Sequence, residues 1–177
     1  SFVFSVSDGS NTLANQTFNF MIAEINDVPT ATGLTGAEGY AEDAVSGAVS
    51  AIVITDGDVG ETITATLTMS DAAAGVLNFS GSSTISSHIE NGKRIYTISG
   101  GLTDVNTALG SMSFSPAADY DKAFTITTRV VDSAGTGPED GLITFSATTN
   151  EDPAQVTNLN QSIDYGGSGN VSLGDIV

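Results

Sequence analysis

Residues 63–70 read ITATLTMS, a stretch in which apolar side chains alternate with threonine and serine. Successive side chains of a β-strand point to opposite faces of its sheet, so this alternation predicts a strand with one buried face and one exposed face. The same pattern, or a short apolar run, predicts further strands at 49–55, 76–80, 94–99, 112–115, 124–131 and 142–148. The turns Asn91-Gly92 and Gly100-Gly101 separate some of these strands.

A single short helix is expected among the strands. Val105, Ala108 and Leu109 have the i, i+3, i+4 spacing of one helix face, and Thr103 stands where a capping side chain is preferred. Many short strands, glycine-rich turns and little helix favour an all-β fold. We therefore predict an immunoglobulin-like antiparallel β-sandwich, for which about 100 residues is a common size.

The chain contains an internal repeat whose boundaries do not coincide with the first and last residues of the sequence. Asp8 and Asp132 follow similar strands and lie 124 residues apart (132 − 8), and Pro29 and Pro153 end similar linkers at the same separation (153 − 29). Two independent landmarks with one period predict a repeat unit of about 124 residues in a tandem array.

This period divides the chain into three predicted segments: the C-terminal strands of a preceding repeat at 1–26, a complete repeat at 27–149 and the start of a following repeat at 150–177. The first segment carries the apolar side chains Phe2, Phe4, Phe18 and Phe20 without the rest of its sheet. We expect such a fragment to be disordered, to pack on the complete repeat, or to pair with another molecule through its exposed edges.

Acidic residues dominate the charge of the chain, because 21 Asp and Glu oppose 4 Lys and Arg and leave a formal net charge of −17. Such a chain repels nucleic-acid backbones and anionic membrane surfaces, so neither is an expected partner. No apolar run approaches the roughly 20 residues that cross a bilayer, so no membrane insertion is expected. The absence of cysteine excludes a disulfide framework and thiolate metal sites.

Acidic and amide side chains gather in segments that the strand pattern places in loops. They are Glu24, Asn26 and Asp27 in the first linker, then Glu42 and Asp43, then Asp56, Asp58 and Glu61 in DGDVGE, and Asp132 at a strand end. On a sandwich we expect these loops to meet at one end of the module. Clustered carboxylates repel each other, and Ca²⁺, which takes roughly six to eight oxygen ligands, would relieve that repulsion. The alternative is that the loops are solvated turns, in which Asp and Gly serve backbone conformation.

The order of these motifs resembles cadherin and bacterial cadherin-like repeats: AED at 41–43, DGDVGE at 56–61, VVDSAG at 130–135 and an Asn-Asp linker before Pro29. It most resembles the tandem repeats of giant secreted RTX-type bacterial adhesins. The resemblance implies calcium ions held between successive modules by Asn26, Asp27, Glu42, Asp56, Asp58 and Asp132. The linker INDVP is shorter than the DxNDNxP pattern of that family, and no DRE-type motif stands in the middle of the repeat.

The function implied by the resemblance is mechanical. It is that of a calcium-stiffened extender repeat of a large adhesin, extracellular at the bacterial cell surface, acting in cell adhesion and biofilm with neighbouring repeats as partners. The alternative is a cadherin-like module that binds polysaccharide or associates with a like module. The chain has no Trp, so Tyr40, Tyr96, Tyr120 and Tyr165 are the candidate platforms for sugar stacking.

No enzymatic activity is expected. His88 is the single histidine of the chain, and no second base stands beside it in the sequence. A nucleophile is normally activated by an adjacent base that a third group orients. We therefore interpret His88 as a loop histidine.

Overall fold

The computed structural model describes residues 1–21 and 25–148, so the predicted segment 150–177 lies outside the described residues. Within them the chain forms thirteen strands, one α-helix and one 3₁₀ turn at Ala72–Ala74. The strands are β1 (Phe2–Ser7), β2 (Thr12–Phe18), β3 (Thr30–Thr32), β4 (Gly36–Ala41), β5 (Gly47–Ala48), β6 (Val53–Thr55), β7 (Ile63–Met69), β8 (Gly75–Asn78), β9 (Thr84–Glu90), β10 (Lys93–Gly100), β11 (Ser113–Pro116), β12 (Phe124–Val131) and β13 (Gly141–Thr148), and the helix α1 spans Leu102–Gly110.

Two main sheets form a sandwich. The larger has the strand order β4-β13-β12-β7-β10-β9, and the smaller has the order β5-β11-β8. A short pair, β3 and β6, adds to the module, and β1 pairs with β2 as a separate hairpin. The predicted all-β immunoglobulin-like sandwich is confirmed, with one exception to the antiparallel pattern: β4 runs parallel to β13.

The core lies between the two sheets and is built by the alternation that predicts the strands. In β7 the side chains of Ile63, Ala65, Leu67 and Met69 are all at most 1 % exposed. Phe114 from the smaller sheet packs between the layers, with its ring centroid 5.0 Å from that of Phe124 and 5.4 Å from that of Phe145, both in the larger sheet. Each fully buried side chain of this size contributes about 1.5–3 kcal/mol relative to an exposed one.

The helix α1 presents the predicted face to the core, because Val105, Ala108 and Leu109 are fully buried. The predicted capping role of Thr103 is wrong. The N-cap is Gly101, which supplies no side-chain cap, and its carbonyl accepts the hydrogen bond of the Val105 N–H at 3.0 Å. The helix begins before Thr103 because Leu102 packs against the core.

Several features of the strand pattern differ from the sequence prediction. Of the predicted strand at 49–55 only β6 (Val53–Thr55) forms, and β5 (Gly47–Ala48) lies just before that stretch and belongs to a different sheet. The short strand β4 was not predicted, because GAEGYA carries no alternation. Strand β9 was also missed, and His88 lies in this strand rather than in a loop. Ile85 and Ile89 lie on one face of β9, but the position between them on that face is Ser87, so the apolar alternation that predicts a strand is interrupted.

The helix is tied to β6 through one amide side chain, and its removal is our first prediction. Asn106 Oδ1 accepts from the Ile54 N–H at 2.8 Å, and Asn106 Nδ2 donates to the Ile54 carbonyl at 2.8 Å. Asn106→Ala leaves both backbone groups of a buried residue without this partner, so we expect a loss of about 1–3 kcal/mol in the free energy of unfolding. Chemical denaturation measures the loss. Asn78→Ala, which removes an exposed bond to Ser115, is the matched control, and an equal effect of both substitutions would contradict the prediction.

Strands β1 and β2 pair as a hairpin, so disorder, the first of the three expected alternatives for this segment, does not describe it. Its register places Phe2 opposite Phe18, with a bulge between Phe4 and Val6. The expected exposure is confirmed, since Phe2 is 60 % exposed, Phe18 is 54 % exposed and Phe20 is 72 % exposed. The hydrogen bonds of its two strands form a two-stranded sheet.

Candidate metal centre

The loop that follows β12 closes around the carboxylate of Asp132, which is almost fully buried. The Asp132 N–H donates to the Thr136 carbonyl at 2.9 Å, and the Thr136 N–H donates back to Asp132 Oδ1 at 2.7 Å. The Thr136 hydroxyl donates to Asp132 Oδ2. Gly135 has a φ of +81°, in the left-handed region that suits glycine, so the chain can reverse within this loop. The loop therefore holds Asp132 in one position.

The first linker reaches this carboxylate through Asn26. Asn26 Nδ2 donates to Asp132 Oδ2 at 2.9 Å and to Thr136 Oγ1 at 3.2 Å. Burial by itself would raise the pKa of Asp132, but the hydrogen bonds from Thr136 and Asn26 outweigh it and lower the pKa to about 2. Asp132 is accordingly ionised at neutral pH.

The next linker residue, Asp27, contacts the DGDVGE loop. Its N–H donates to Asp58 Oδ2 at 2.7 Å. Its carboxylate lies against Gly57, where an added Cβ would stand 2.7 Å from Asp27 Oδ2. A side chain at position 57 would displace the linker carboxylate, so glycine allows Asp27 to stay in this position.

Three carboxylates of the DGDVGE loop point together. One oxygen from each of Asp56, Asp58 and Glu61 lies within 4.8 Å of the other two. The Asp58 N–H donates to Asp56 Oδ1 at 3.0 Å, and Ser133 Oγ donates to Glu61 Oε2 at 2.8 Å. Of the remaining oxygens, Asp56 Oδ2 and Glu61 Oε1 are buried and accept no hydrogen bond from the described protein atoms.

These two oxygens are the sharpest electrostatic feature of the site. A buried charged acceptor without a partner costs more free energy than a neutral one, and natural proteins normally pair it. The three segments 26–27, 56–61 and 132–136 contain five carboxylates and no Lys or Arg. The arrangement therefore has negative charge and open oxygen ligands, which a cation can satisfy.

The donor set fits calcium. All candidate ligands are oxygens from carboxylate or amide groups, the type that Ca²⁺ prefers, and Ca²⁺ tolerates irregular geometry. Mg²⁺ demands near-ideal octahedral geometry and releases its waters reluctantly. The cleft beside the loop has a volume of about 420 Å³ and is lined by Asn26, Asp58, Val59, Gly60, Glu61 and Ser133.

The structure brings five of the six predicted ligands to this end of the sandwich: Asn26, Asp27, Asp56, Asp58 and Asp132. The predicted position of Glu42 is wrong. The Glu42 N–H donates to the carbonyl of Thr148, the last residue of β13, whereas β13 begins on the side of Asp132. Because β4 runs parallel to β13, it carries the chain away from the site. Glu42 instead joins Asp43 and Asp119 in a second carboxylate group at the opposite end.

Some contributing residues were not among the predicted ligands. Glu61 was recognised as part of the acidic loop only, and Ser133 and Thr136 were not singled out. An aspartate-closed turn also follows β1, where Asp8 accepts from the N–H groups of Ser10 and Asn11, but the counterpart of Thr136 in the repeat is Thr12. These hydrogen bonds lower the pKa of Asp8. The linker residues Glu24, Asn150, Glu151 and Asp152 lie outside the described residues.

Comparison with known proteins yields only a distant similarity. No protein-family model and no curated protein matches the chain. Among solved structures the chain is similar to a protein from a type I cohesin–dockerin complex of Clostridium thermocellum, at 10 % sequence identity and a TM-score of 0.35, over 72 % of this chain and 100 % of that chain. A similarity at this level carries no argument about function. In the described part of the chain, no helix has the length and apolar character to span a bilayer.

Proposed function

We propose that the chain is a calcium-stiffened extender repeat of a large, secreted bacterial cell-surface adhesin, with a structural role in cell adhesion and biofilm. The observation that carries the proposal is a pair of buried carboxylate oxygens, Asp56 Oδ2 and Glu61 Oε1, that have no hydrogen-bond partner among the described residues. They lie beside a linker that is already bonded to the neighbouring loops. The ordered motifs that resemble cadherin-like repeats support the same function. Its cofactor would be calcium and its nearest partners the neighbouring repeats.

In this proposal calcium supplies positive charge to the segments 26–27, 56–61 and 132–136, whose charged side chains are all negative. Asp56, Asp58, Glu61 and Asp132 would hold the ion from the module, and Asn26 and Asp27 would hold it from the linker. Neutralising the carboxylates removes their mutual repulsion and favours the folded, closed arrangement. Affinities of about 10⁻⁴ to 10⁻³ M are common in extracellular calcium modules, so a weak site is sufficient.

The linker is suited to stiffening because its two ends are restrained. Pro29 is buried, and its ring limits the backbone to a narrow range of φ. Asn26 and Asp27 are bonded to two different loops of the module, through Asp132 and Asp58. An ion shared by the same groups would strengthen both attachments at once, so the direction of the preceding segment would become fixed.

Stiffening predicts a narrower distance distribution between the hairpin and the module when calcium binds. The chain has no cysteine, so Ser5→Cys in β1 and Ser146→Cys in β13 allow two spin labels to be placed on exposed strand positions. Pulsed electron paramagnetic resonance, with labelled protein diluted in unlabelled protein, is expected to show a broad distribution in EDTA and a narrow one in millimolar calcium. Magnesium is expected to have a smaller effect.

Two controls make the measurement specific. Labels at Ser87→Cys and Ser146→Cys both lie in the larger sheet, so their distribution should not change with calcium. Asp56→Asn with Asp58→Asn should abolish the narrowing between the hairpin and the module. Equal widths in EDTA and calcium for the hairpin pair would overturn the stiffening role.

The alternative of carbohydrate binding has less support in this structure. Of the four candidate sugar platforms, Tyr40, Tyr96 and Tyr120 are each at most 9 % exposed and so offer no stacking surface, and Tyr165 lies outside the described residues. Their hydroxyl groups serve internal bonds: Tyr40 donates to the Lys122 carbonyl at 2.7 Å, and Tyr96 accepts from the Leu77 N–H at 2.8 Å. We also propose that the chain is not an enzyme.

A further inference from the structure

One short loop, residues 132–136, contacts both the linker and the acidic DGDVGE loop. Asp132 accepts a hydrogen bond from Asn26 of the linker at 2.9 Å, and the next residue, Ser133, donates from Oγ to Glu61 Oε2 at 2.8 Å. Ser133 and Glu61 lie 72 residues apart in the chain. The fold, and not the local sequence, therefore brings this hydroxyl to this carboxylate.

The carboxylate of Glu61 has one oxygen held and one oxygen open. Ser133 occupies Oε2, whereas Oε1 is buried and has no hydrogen-bond partner in the part of the chain that the structure describes. Asp132 differs, because its Oδ1 accepts from the Thr136 N–H and its Oδ2 accepts from the Thr136 hydroxyl and from Asn26. A serine hydroxyl donates a single hydrogen, so its contact leaves the second oxygen of Glu61 available to a cation.

The residues that precede Glu61 give its side chain little support. Val59 is 99 % exposed, and Gly60 has open space around the position of an added Cβ. A glutamate side chain has several rotatable bonds and loses much rotamer freedom when a ligand fixes it. A hydrogen bond that already holds Glu61 in the metal-free protein removes part of this entropic cost before a cation binds.

The position of Ser133 is itself fixed by its loop. The Gly135 N–H donates to the Asp132 carbonyl at 3.2 Å, and the Asp132 N–H donates to the Thr136 carbonyl at 2.9 Å, so the turn closes around Ser133. At the end of the loop Gly137 runs so close to β12 that an added Cβ would clash with a carbonyl oxygen of that strand. The hydroxyl is therefore presented to Glu61 by a restrained turn.

We propose that Ser133 is a positioning residue of the calcium site, whose hydroxyl holds Glu61 where its carboxylate lies together with those of Asp56 and Asp58. This inference rests on the proposed function and adds an uncharged residue to the same site. Carboxylate ligands of metals are themselves hydrogen-bonded, and removal of such a partner typically lowers metal affinity by about 10–100-fold. Ser133 is exposed, so loss of its hydroxyl should leave the stability of the metal-free fold unchanged.

Calcium titration followed by nuclear magnetic resonance compares the affinity of the native chain with that of three serine variants. Ser133→Ala should bind calcium at least about 10-fold more weakly. Ser133→Thr keeps the hydroxyl and should restore most of the native affinity. Ser82→Ala is the matched control and should bind like the native chain, because Ser82 is also exposed and donates to a carboxylate, that of Asp104, outside the group of Asp56, Asp58 and Glu61. Urea denaturation in EDTA should give one midpoint for all four chains.

A double-mutant cycle separates positioning from direct ligation of the ion. In a chain that carries Glu61→Ala, the further substitution Ser133→Ala should cause little additional loss of calcium affinity, because the hydroxyl acts through the Glu61 carboxylate. An undiminished loss in that background would overturn the positioning role, since it would identify Ser133 as a ligand in its own right.

The failure of this inference differs from the failure of the proposed function. A native chain that does not bind calcium would contradict the calcium site and the role of Ser133 with it. If the native chain binds calcium and Ser133→Ala binds it equally well, only the role of Ser133 is overturned. The same conclusion follows if Ser133→Thr loses as much affinity as Ser133→Ala, or if Ser133→Ala unfolds at a lower urea concentration in EDTA, because either result indicates a general structural defect.

Discussion

Phe114→Ala is expected to reduce the free energy of unfolding by about 3–5 kcal/mol, the largest effect of any single substitution proposed for this protein. Phe114 is 2 % exposed and joins the smaller sheet to the larger one. Its ring packs against three others, those of Tyr40, Phe124 and Phe145, at centroid distances of 5.3, 5.0 and 5.4 Å. Its truncation removes transfer free energy and leaves a cavity between two rigid layers, which cannot collapse without bending a sheet.

Urea denaturation at equilibrium measures this loss. A domain of this kind is typically stable by about 5–15 kcal/mol, so the variant would lose a large part of its stability. Phe114→Leu should cost clearly less because most of the volume remains, and Leu142→Ala, on an exposed side chain of the larger sheet, should cost little. If the free energy of unfolding of Phe114→Ala lay within about 1 kcal/mol of that of the native chain, the packing of the two sheets would not depend on this contact.

Calcium is expected to raise the melting temperature of the native chain by on the order of 10 °C at a concentration about 100-fold above the dissociation constant, where binding adds about 2.7 kcal/mol. The gain should disappear in the variant that carries Asp56→Asn and Asp58→Asn. The variant removes two of the three carboxylates whose oxygens lie within 4.8 Å of each other. Thermal unfolding followed by circular dichroism, in EDTA, calcium and magnesium, provides the measurement.

The same substitutions should act in the opposite direction without metal. In EDTA the double variant should be at least as stable as the native chain, since it removes like charges that repel each other. An asparagine oxygen can still accept the hydrogen bond from the Asp27 N–H. Glu90→Gln with Asp121→Asn removes two exposed charges outside both carboxylate groups and is the matched control. Superimposed native curves in EDTA and calcium would indicate solvated turns and a calcium-free spacer.

Patterns confined to a few neighbouring residues predicted much of the fold. The alternation in ITATLTM identified β7, and the apolar spacing at Val105, Ala108 and Leu109 identified the buried face of α1. The motif order also predicted that the linker and the Asp56 and Asp132 loops would meet, and Asn26 and Asp27 do bond to them. Calcium binding at this site remains a proposal.

Other features depended on contacts between distant segments and were missed or wrongly predicted. Glu42 lies at the far end because β4 pairs in parallel with β13, and no local pattern encodes the direction of that pairing. The tyrosines are buried because they fill space between two sheets. A tyrosine has a polar hydroxyl as well as an apolar ring, so its presence in the sequence does not distinguish a buried position from a surface one. Strand β9 forms along the partner edge that β10 offers, although Ser87 interrupts the apolar alternation of its own sequence.

Most of the strands, the position of the acidic loops between them and the repeat can be predicted from the amino-acid sequence, because side-chain alternation, turn residues and charge are local properties of the chain. Only the packed sheets show which carboxylates share an end of the sandwich and which two carboxylate oxygens are buried without a hydrogen-bond partner among the described residues. Those properties arise from the pairing and packing of residues far apart in the chain, and they exist only once the two sheets have closed on each other.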